Sequence, residues 1–358
     1  LQKRFCISWG RELQKRFGTS EKGNRGCWGE SEGIYGVSSQ PADRTMWNSL
    51  LHSGLAGSFM SFPHVPAKAD ALREAGARAA IYGIPFDSTS ISRTGANYGP
   101  RGMREVSCQF LTYNATLDFD LADTLAPVDC GDCDLALANP QVTFDRAKAD
   151  LLEILRAGAL PVTLGGDHSV TIPAAWAVTE HVEDPALILI DTHLDTAPDV
   201  GGEKLNHCCP ITRAVEAGFD PSRVVLIGMS GWMNPRTELA YCREQGIKVI
   251  WLEEIWEKGT AWAVDQAREI TRAAAGGVYL SFDVDSLDAA HGAATCCPTP
   301  GGLTSREAIE LVRGVSAGGL VGVDVVEVAP SLEATPATSL MGVRVAVEAM
   351  AFHGGATL

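Results

Sequence analysis

Three short apolar runs, each giving way at its end to carboxylates and imidazoles, constrain this 358-residue chain more than any other feature. Leu160–Leu164 leads into Gly165, Gly166, Asp167, His168 and Ser169. Ala186–Ile190 leads into Asp191, Thr192, His193, Leu194 and Asp195, and Gly277–Phe282 leads into Asp283, Val284 and Asp285. Short apolar runs bounded by polar clusters are the pattern of buried strands. Side chains alternate along a strand, so Asp191, His193 and Asp195 are expected to share a face, as are Asp283 and Asp285. Adding His168 gives two imidazoles and four carboxylates at the carboxyl ends of strands, where open α/β sheets place their sites.

Four carboxylates crowded out of water demand countercharge. Two divalent cations would supply +4 against −4. Mixed His and Asp donors suit Mn, Fe, Co, Ni or Zn better than an all-oxygen Ca or Mg site. One such Asp alone would more simply cap a helix or face water. The whole convergent set is what marks a metal site.

These residues resemble the signatures of the ureohydrolase family, which includes arginase, agmatinase and guanidinobutyrase. GGDHS stands at Gly165–Ser169, DxHxD at Asp191–Asp195 and SxDxDxxD at Ser281–Asp288. The similarity runs from about Ala79 to the C-terminus. It implies a three-layer α/β/α fold with a central, mainly parallel sheet. It also implies one metal held by His168, Asp191, Asp195 and Asp283. A second would be held by Asp191, His193, Asp283 and Asp285, with Asp191 and Asp283 bridging. The expected cofactor is two divalent ions per subunit, manganese or nickel. His207 falls where the family keeps a proton-shuttling or substrate-contacting His, and Glu327 where it keeps a Glu that grips a guanidinium. Asp195 and His207 are the expected catalytic residues, and Glu327 and His207 the substrate-binding ones. The expected reaction is metal-assisted hydrolysis of a guanidino C–N bond with release of urea.

The chain departs from the family pattern in two loops. Ala289 replaces the usual proline after the third motif, and the next loop carries Cys296 and Cys297. The Asp195–His207 loop lacks the Asn and Ser with which arginases hold the amino-acid end of arginine, and Ala197 stands where that Asn would be. A small guanidine, alkylguanidine or biguanide such as metformin is therefore the expected substrate. Alternatives are a non-catalytic subunit supporting an active paralogue, or a formimino-group hydrolase of the same fold. The Cys208–Cys209 and Cys296–Cys297 pairs are expected to approach the site.

Alternation of strand and helix continues beyond the three runs. Strands are expected at 79–84, 223–227, 248–252 and 320–326. Helices are expected from 101, and at 143–157, 172–179, 210–217, 235–245, 261–275, 305–315 and 336–351. Such βα alternation argues for a parallel sheet covered by helices on both faces. Thr304 and Glu307 have capping-box spacing. Gly165–Gly166 and Gly201–Gly202 lack dinucleotide-binding spacing and suggest tight strand-end turns. Cys130 and Cys133 form a lone CxxC, placed in a strand-end loop rather than at zinc.

The first 25 residues carry seven Lys/Arg and two Asp/Glu, and Leu1–Phe5 recurs as Leu13–Phe17. They suggest a solvated extension. Residues 26–65 suggest a wrapping segment, so that 1–65 precede a catalytic domain at 66–358. A net charge of −15 argues against a general nucleic-acid binder and suits a cationic substrate. No apolar run is long enough for a membrane span. Ten cysteines without a secretory segment suggest reduced thiols and a cytoplasmic protein. A trimer or hexamer is expected, with a paralogous subunit as one arrangement.

Overall fold

A computed structural model describes residues 57–358, so the basic extension, its repeat and most of the wrapping segment lie outside the described residues. In chain order the strands are β1 (Ala79–Gly83), β2 (Tyr113–Asn114), β3 (Phe119–Asp120), β4 (Val128–Asp132), β5 (Leu160–Leu164), β6 (Ala186–Ile190), β7 (Val224–Met229), β8 (Lys248–Trp251), β9 (Val278–Asp283) and β10 (Leu320–Val326). The α-helices are α1 (Ala69–Glu74), α2 (Gly99–Ser107), α3 (Leu121–Leu125), α4 (Pro140–Arg156), α5 (Thr171–His181), α6 (Pro210–Ala217), α7 (Arg236–Gln245), α8 (Leu252–Lys258), α9 (Thr260–Thr271), α10 (Ser305–Ser316) and α11 (Ala337–His353). Eight strands form one sheet in the order β4-β1-β5-β10-β9-β6-β7-β8, and all neighbours run parallel. β2 and β3 make a separate antiparallel pair.

Every residue of β5, β6 and β9 is buried, which explains why these strands are continuous apolar runs. Alternation divides their side chains between two layers. Leu187 and Leu189 pack with Phe144 and Leu151 of α4, Ile172 of α5 and Ile211 of α6. Ile188 and Ile190 pack on the other face with Ala263 and Ala267 of α9, Leu311 of α10 and Val345 of α11. The expected three-layer arrangement follows. Local signals set several helix starts. Asn139 caps α4 by accepting from Val142 N ahead of Pro140, and Thr304 with Glu307 forms the capping box of α10.

Three local expectations need correction. Cys130 lies inside edge strand β4 rather than in a loop, and Cys133 follows it. The strand was hidden because Asp129, at an inward position, is satisfied by an ion pair with buried Arg104 at 2.8 Å. Gly201 and Gly202 turn a hairpin within a loop, where Val200 and Glu203 exchange backbone hydrogen bonds, and do not end a strand. β6 also stops at Ile190, so strand alternation does not carry through Asp191–Asp195. Of the wrapping segment, residues 57–65 are described. Phe59 and Met60 enter the core beside Met103, and Val65 N donates to Asp129 O.

Candidate metal centre and substrate pocket

Four adjacent central strands, β5, β10, β9 and β6, deliver the site residues from their carboxyl ends. The chain turns sharply there. His193 N donates to Asp191 Oδ1 at 2.7 Å, and Asp285 N to Asp283 Oδ1 at 2.7 Å. A single 3-10 turn over Val284–Ser286 then swings Asp285 inward. Asp195 adopts a left-handed φ of 50° and Glu327 one of 62°. Such backbone is costly outside glycine and is concentrated at functional sites. Gly166 permits a close approach of two backbones. A Cβ there would lie 1.9 Å from Phe86 O, and Gly166 O accepts from Glu327 N at 2.8 Å.

All six proposed ligands converge, through turns rather than along strands. His168 Nδ1 lies 3.1 Å from Asp191 Oδ2, 2.8 Å from Asp195 Oδ2 and 3.1 Å from Asp283 Oδ2. His193 Nδ1 lies 3.0 Å from Asp285 Oδ2 and 3.5 Å from Asp191 Oδ1. Donor atoms of His168, Asp191 and Asp283 form one compact group, and those of Asp191, His193 and Asp285 another, sharing Asp191.

A hydrogen-bond relay sets the tautomer of His168. Ser281 Oγ donates to Asp324 Oδ1 at 2.6 Å, so its oxygen must accept from His168 Nε2 at 3.0 Å. Nδ1 then presents a lone pair to three carboxylates. Neither it nor Asp191 Oδ2 has a hydrogen-bond partner, although both are buried. Lone pairs converging in this way are repulsive unless a cation sits among them. The donor set therefore fits divalent metal.

The electrostatics agree. Burial raises Asp285 to about 7, against the opposing pull of His193. Burial, then Asp285 and Asp191, raises Asp283. Burial also raises Asp195, with Asp191 adding to it. Burial alone would lower His168, but the surrounding carboxylates outweigh it and raise the imidazole well above its ordinary value. Protons thus gather where positive charge is missing.

A cavity of about 290 Å³ opens beside the cluster. His207 Nδ1 faces Glu327 Oε1 at 3.0 Å, while Ile91 N donates to His207 Nε2 at 3.2 Å. Burial opposes the charged ring, but Cys208 and Glu327 outweigh it and push His207 up to about 12. Taking up the second proton requires Ile91 N–H to release Nε2. Glu327 Oε1 also accepts from His168 N at 3.0 Å. Its Oε2 is buried without a partner. Cys208, Cys296 and Cys297 line the cavity, whereas Cys209 is wholly buried and does not. Among the described residues no Lys or Arg lines it.

Asp324 was not among the residues singled out from sequence, yet it organises the site. It accepts from Thr171 Oγ1, Tyr279 OH and Ser281 Oγ. Its signal was a single carboxylate inside the apolar run of β10, in register with Ser281 of β9. Asn234 was also missed. It accepts from Leu194 N at 2.7 Å and donates to Thr192 O at 2.9 Å, which steadies the loop bearing His193.

The sequence model of the arginase family matches residues 77–352. The mitochondrial agmatinase of Gallus gallus is 37% identical over 274 residues, covering 76% of this chain and 80% of that protein. The guanidinobutyrase of Pseudomonas aeruginosa is 35% identical over 304 residues, covering 84% and 93%. The solved structure of proclavaminate amidinohydrolase from Streptomyces clavuligerus superposes with a TM-score of 0.75 at 31% identity, covering 83% of this chain and 97% of that one.

Proposed function

The chain belongs to the arginase family of C–N hydrolases, and from that premise we propose that it releases urea from a small guanidine, alkylguanidine or biguanide. The observation that carries this reading is Glu327 Oε2, buried and unpartnered at the mouth of the ligand cluster. A guanidinium N–H is the charge-assisted partner this oxygen lacks.

His168, Asp191, Asp195 and Asp283 would hold one cation, and Asp191, His193, Asp283 and Asp285 the other. Manganese and nickel both suit these donors. When bound, the pair supplies the Lewis acidity that makes a water nucleophilic near neutral pH. Glu327 holds the guanidinium by its N–H groups and orients its central carbon toward the Asp cluster. The second oxygen of Glu327 is fixed by His168 N–H and His207, so the carboxylate arrives preoriented. Asp195 accepts a hydrogen bond from the attacking water. His207 hands a proton to the leaving nitrogen, and its displacement from Ile91 N–H frees Nε2 for that purpose.

Support for a small substrate comes from the cavity. Ala197, Val200 and Met233 contribute apolar wall, and no Lys or Arg among the described residues stands there to pair with a carboxylate tail. A buried carboxylate without a partner is costly, which disfavours arginine and guanidino acids.

The test is a urea-release screen over guanidine, alkylguanidines, biguanides, agmatine, guanidino acids and arginine. Formamide is assayed in parallel against formimino substrates. Faster urea release from a small guanidine or biguanide supports the proposal. Preference for arginine, or formamide as product, would overturn it.

A further inference from the structure

A second group of potential metal-binding side chains lines the same pocket as the Asp/His set and has sulfur in it. Cys296 Sγ, a His207 nitrogen and a Glu327 oxygen all fall within 4.8 Å of one another, and all three residues are buried. Cys297 Sγ lies 3.7 Å from Cys296 Sγ, and both thiols are free. Zn–S bonds of about 2.3 Å at a tetrahedral angle place two sulfurs roughly 3.8 Å apart. The vicinal pair already has that bite.

The loop bearing the two cysteines is held in place. Arg93 Nε donates to Cys296 O at 3.2 Å and Nη2 to Ala293 O at 3.2 Å, with a further bond to Thr295 O. Ala294 is tied on both sides, its N–H to Thr338 Oγ1 at 3.1 Å and its carbonyl to Ala329 N at 2.8 Å. The sulfur positions are therefore set by the fold.

We propose that Cys296 and Cys297, with His207 and Glu327, form a separate inhibitory site for a thiophilic divalent cation such as Zn²⁺ or Cd²⁺. Thiolate donors favour soft ions, whereas the Asp/His cluster offers only oxygen and nitrogen. The two sites thus sort metals by softness. On binding, each thiol, and His207 where it carries a second proton, releases that proton to solvent as its bond to the metal forms. The cation occupies Glu327, which the proposed substrate needs, so metal and guanidinium exclude one another. This consequence rests on the proposed function; the site itself does not.

Enzyme loaded with Mn²⁺ is titrated with Cd²⁺ in the absence of substrate. Bound cadmium, released manganese and the ultraviolet cadmium–thiolate charge-transfer band are followed together. The expected result is one Cd²⁺ taken up per chain with the thiolate band and without manganese release. The Cys296→Ser/Cys297→Ser variant is expected to lose both uptake and band. Cys297→Ser alone, at the less buried position, is expected to weaken Cd²⁺ binding at least tenfold and serves if the double variant misfolds. Uptake without the band, uptake matched by manganese release, or unchanged uptake in the serine variants would overturn the site. With a substrate identified by urea release, Cd²⁺ is expected to raise KM in the wild type, each variant being compared with its own uninhibited rate. Because binding is measured without substrate, a chain that releases no urea still tests the site.

Discussion

The backbone N–H of His168 donates to Glu327 Oε1 at 3.0 Å, which ties the carboxylate proposed to hold substrate to the first residue of the proposed metal cluster. One oxygen of Glu327 is thereby committed to the protein and the other left for a ligand. This geometry is consistent with the expected division of labour, in which Glu327 meets the substrate and the Asp/His set holds metal.

Glu327→Gln tests that separation. The amide must keep its oxygen toward His168 N–H and His207, so its NH₂ faces the guanidinium. Losing a charge-assisted partner of this kind costs about 2–5 kcal/mol. We expect kcat/KM to fall more than about tenfold, with two metals still bound. Metal loss would place Glu327 among the ligands, and unchanged kcat/KM would assign the grip to another group.

Asp191 belongs to both donor groups and Asp283 to one of them, and the proposed centre has both residues contributing to both ions. Asp191→Ala and Asp283→Ala are expected to lose most activity and at least one metal per chain by elemental analysis. Full metal content with full activity in either variant would rule out bridging.

Ser281→Ala removes the acceptor that holds His168 in its Nε2–H tautomer. Partners of this kind typically contribute about 10–100-fold in metal affinity. Metal-binding titration of the variant should show a loss in that range, while Ser281→Thr, which keeps the hydroxyl, should restore part of it. Unaltered affinity in the alanine variant would show that the relay through Asp324 does not set the tautomer.

Chelation should expose the cost of the crowded carboxylates. Asp285 stands at about 7 in the folded chain against an ordinary 3.8. The folded state therefore binds more protons than the unfolded one between these values, so stability falls as pH rises through that window. The raised His168 acts in the same direction over its upper part, since its charged form is held by the fold. Metal-free protein should lose Tm from about pH 4 to about pH 7, and the rise in Tm on adding metal should grow with pH. A metal-free Tm that is flat or climbing across this range would contradict the charge arrangement.

Much of this architecture is legible in the sequence because the central strands are buried on both faces. β5, β6 and β9 leave no room for polar residues until the strand ends, so the change in composition marks the site. The convergence of Asp191, His193 and Asp195 was foreseen, but it arises from turns and a left-handed Asp195 rather than strand alternation. Edge strand β4 was obscured because Asp129 is buried against Arg104, a pairing 25 residues apart that no local pattern reveals. Asp324 was missed for the same reason, and although Cys296, His207 and Glu327 were each expected at or near the site, their close grouping was not legible. Their partners meet only across the sheet and between loops.

The central claim is that two cations held by this one cluster are needed for guanidino hydrolysis. It is tested most directly by titrating metal-free enzyme with Mn²⁺ while bound metal and urea release from the best small guanidine or biguanide are measured in the same samples. The account predicts that activity rises with occupancy and saturates at two ions per chain. Full activity with no metal or with a single ion bound, or no urea release at full occupancy, would contradict it.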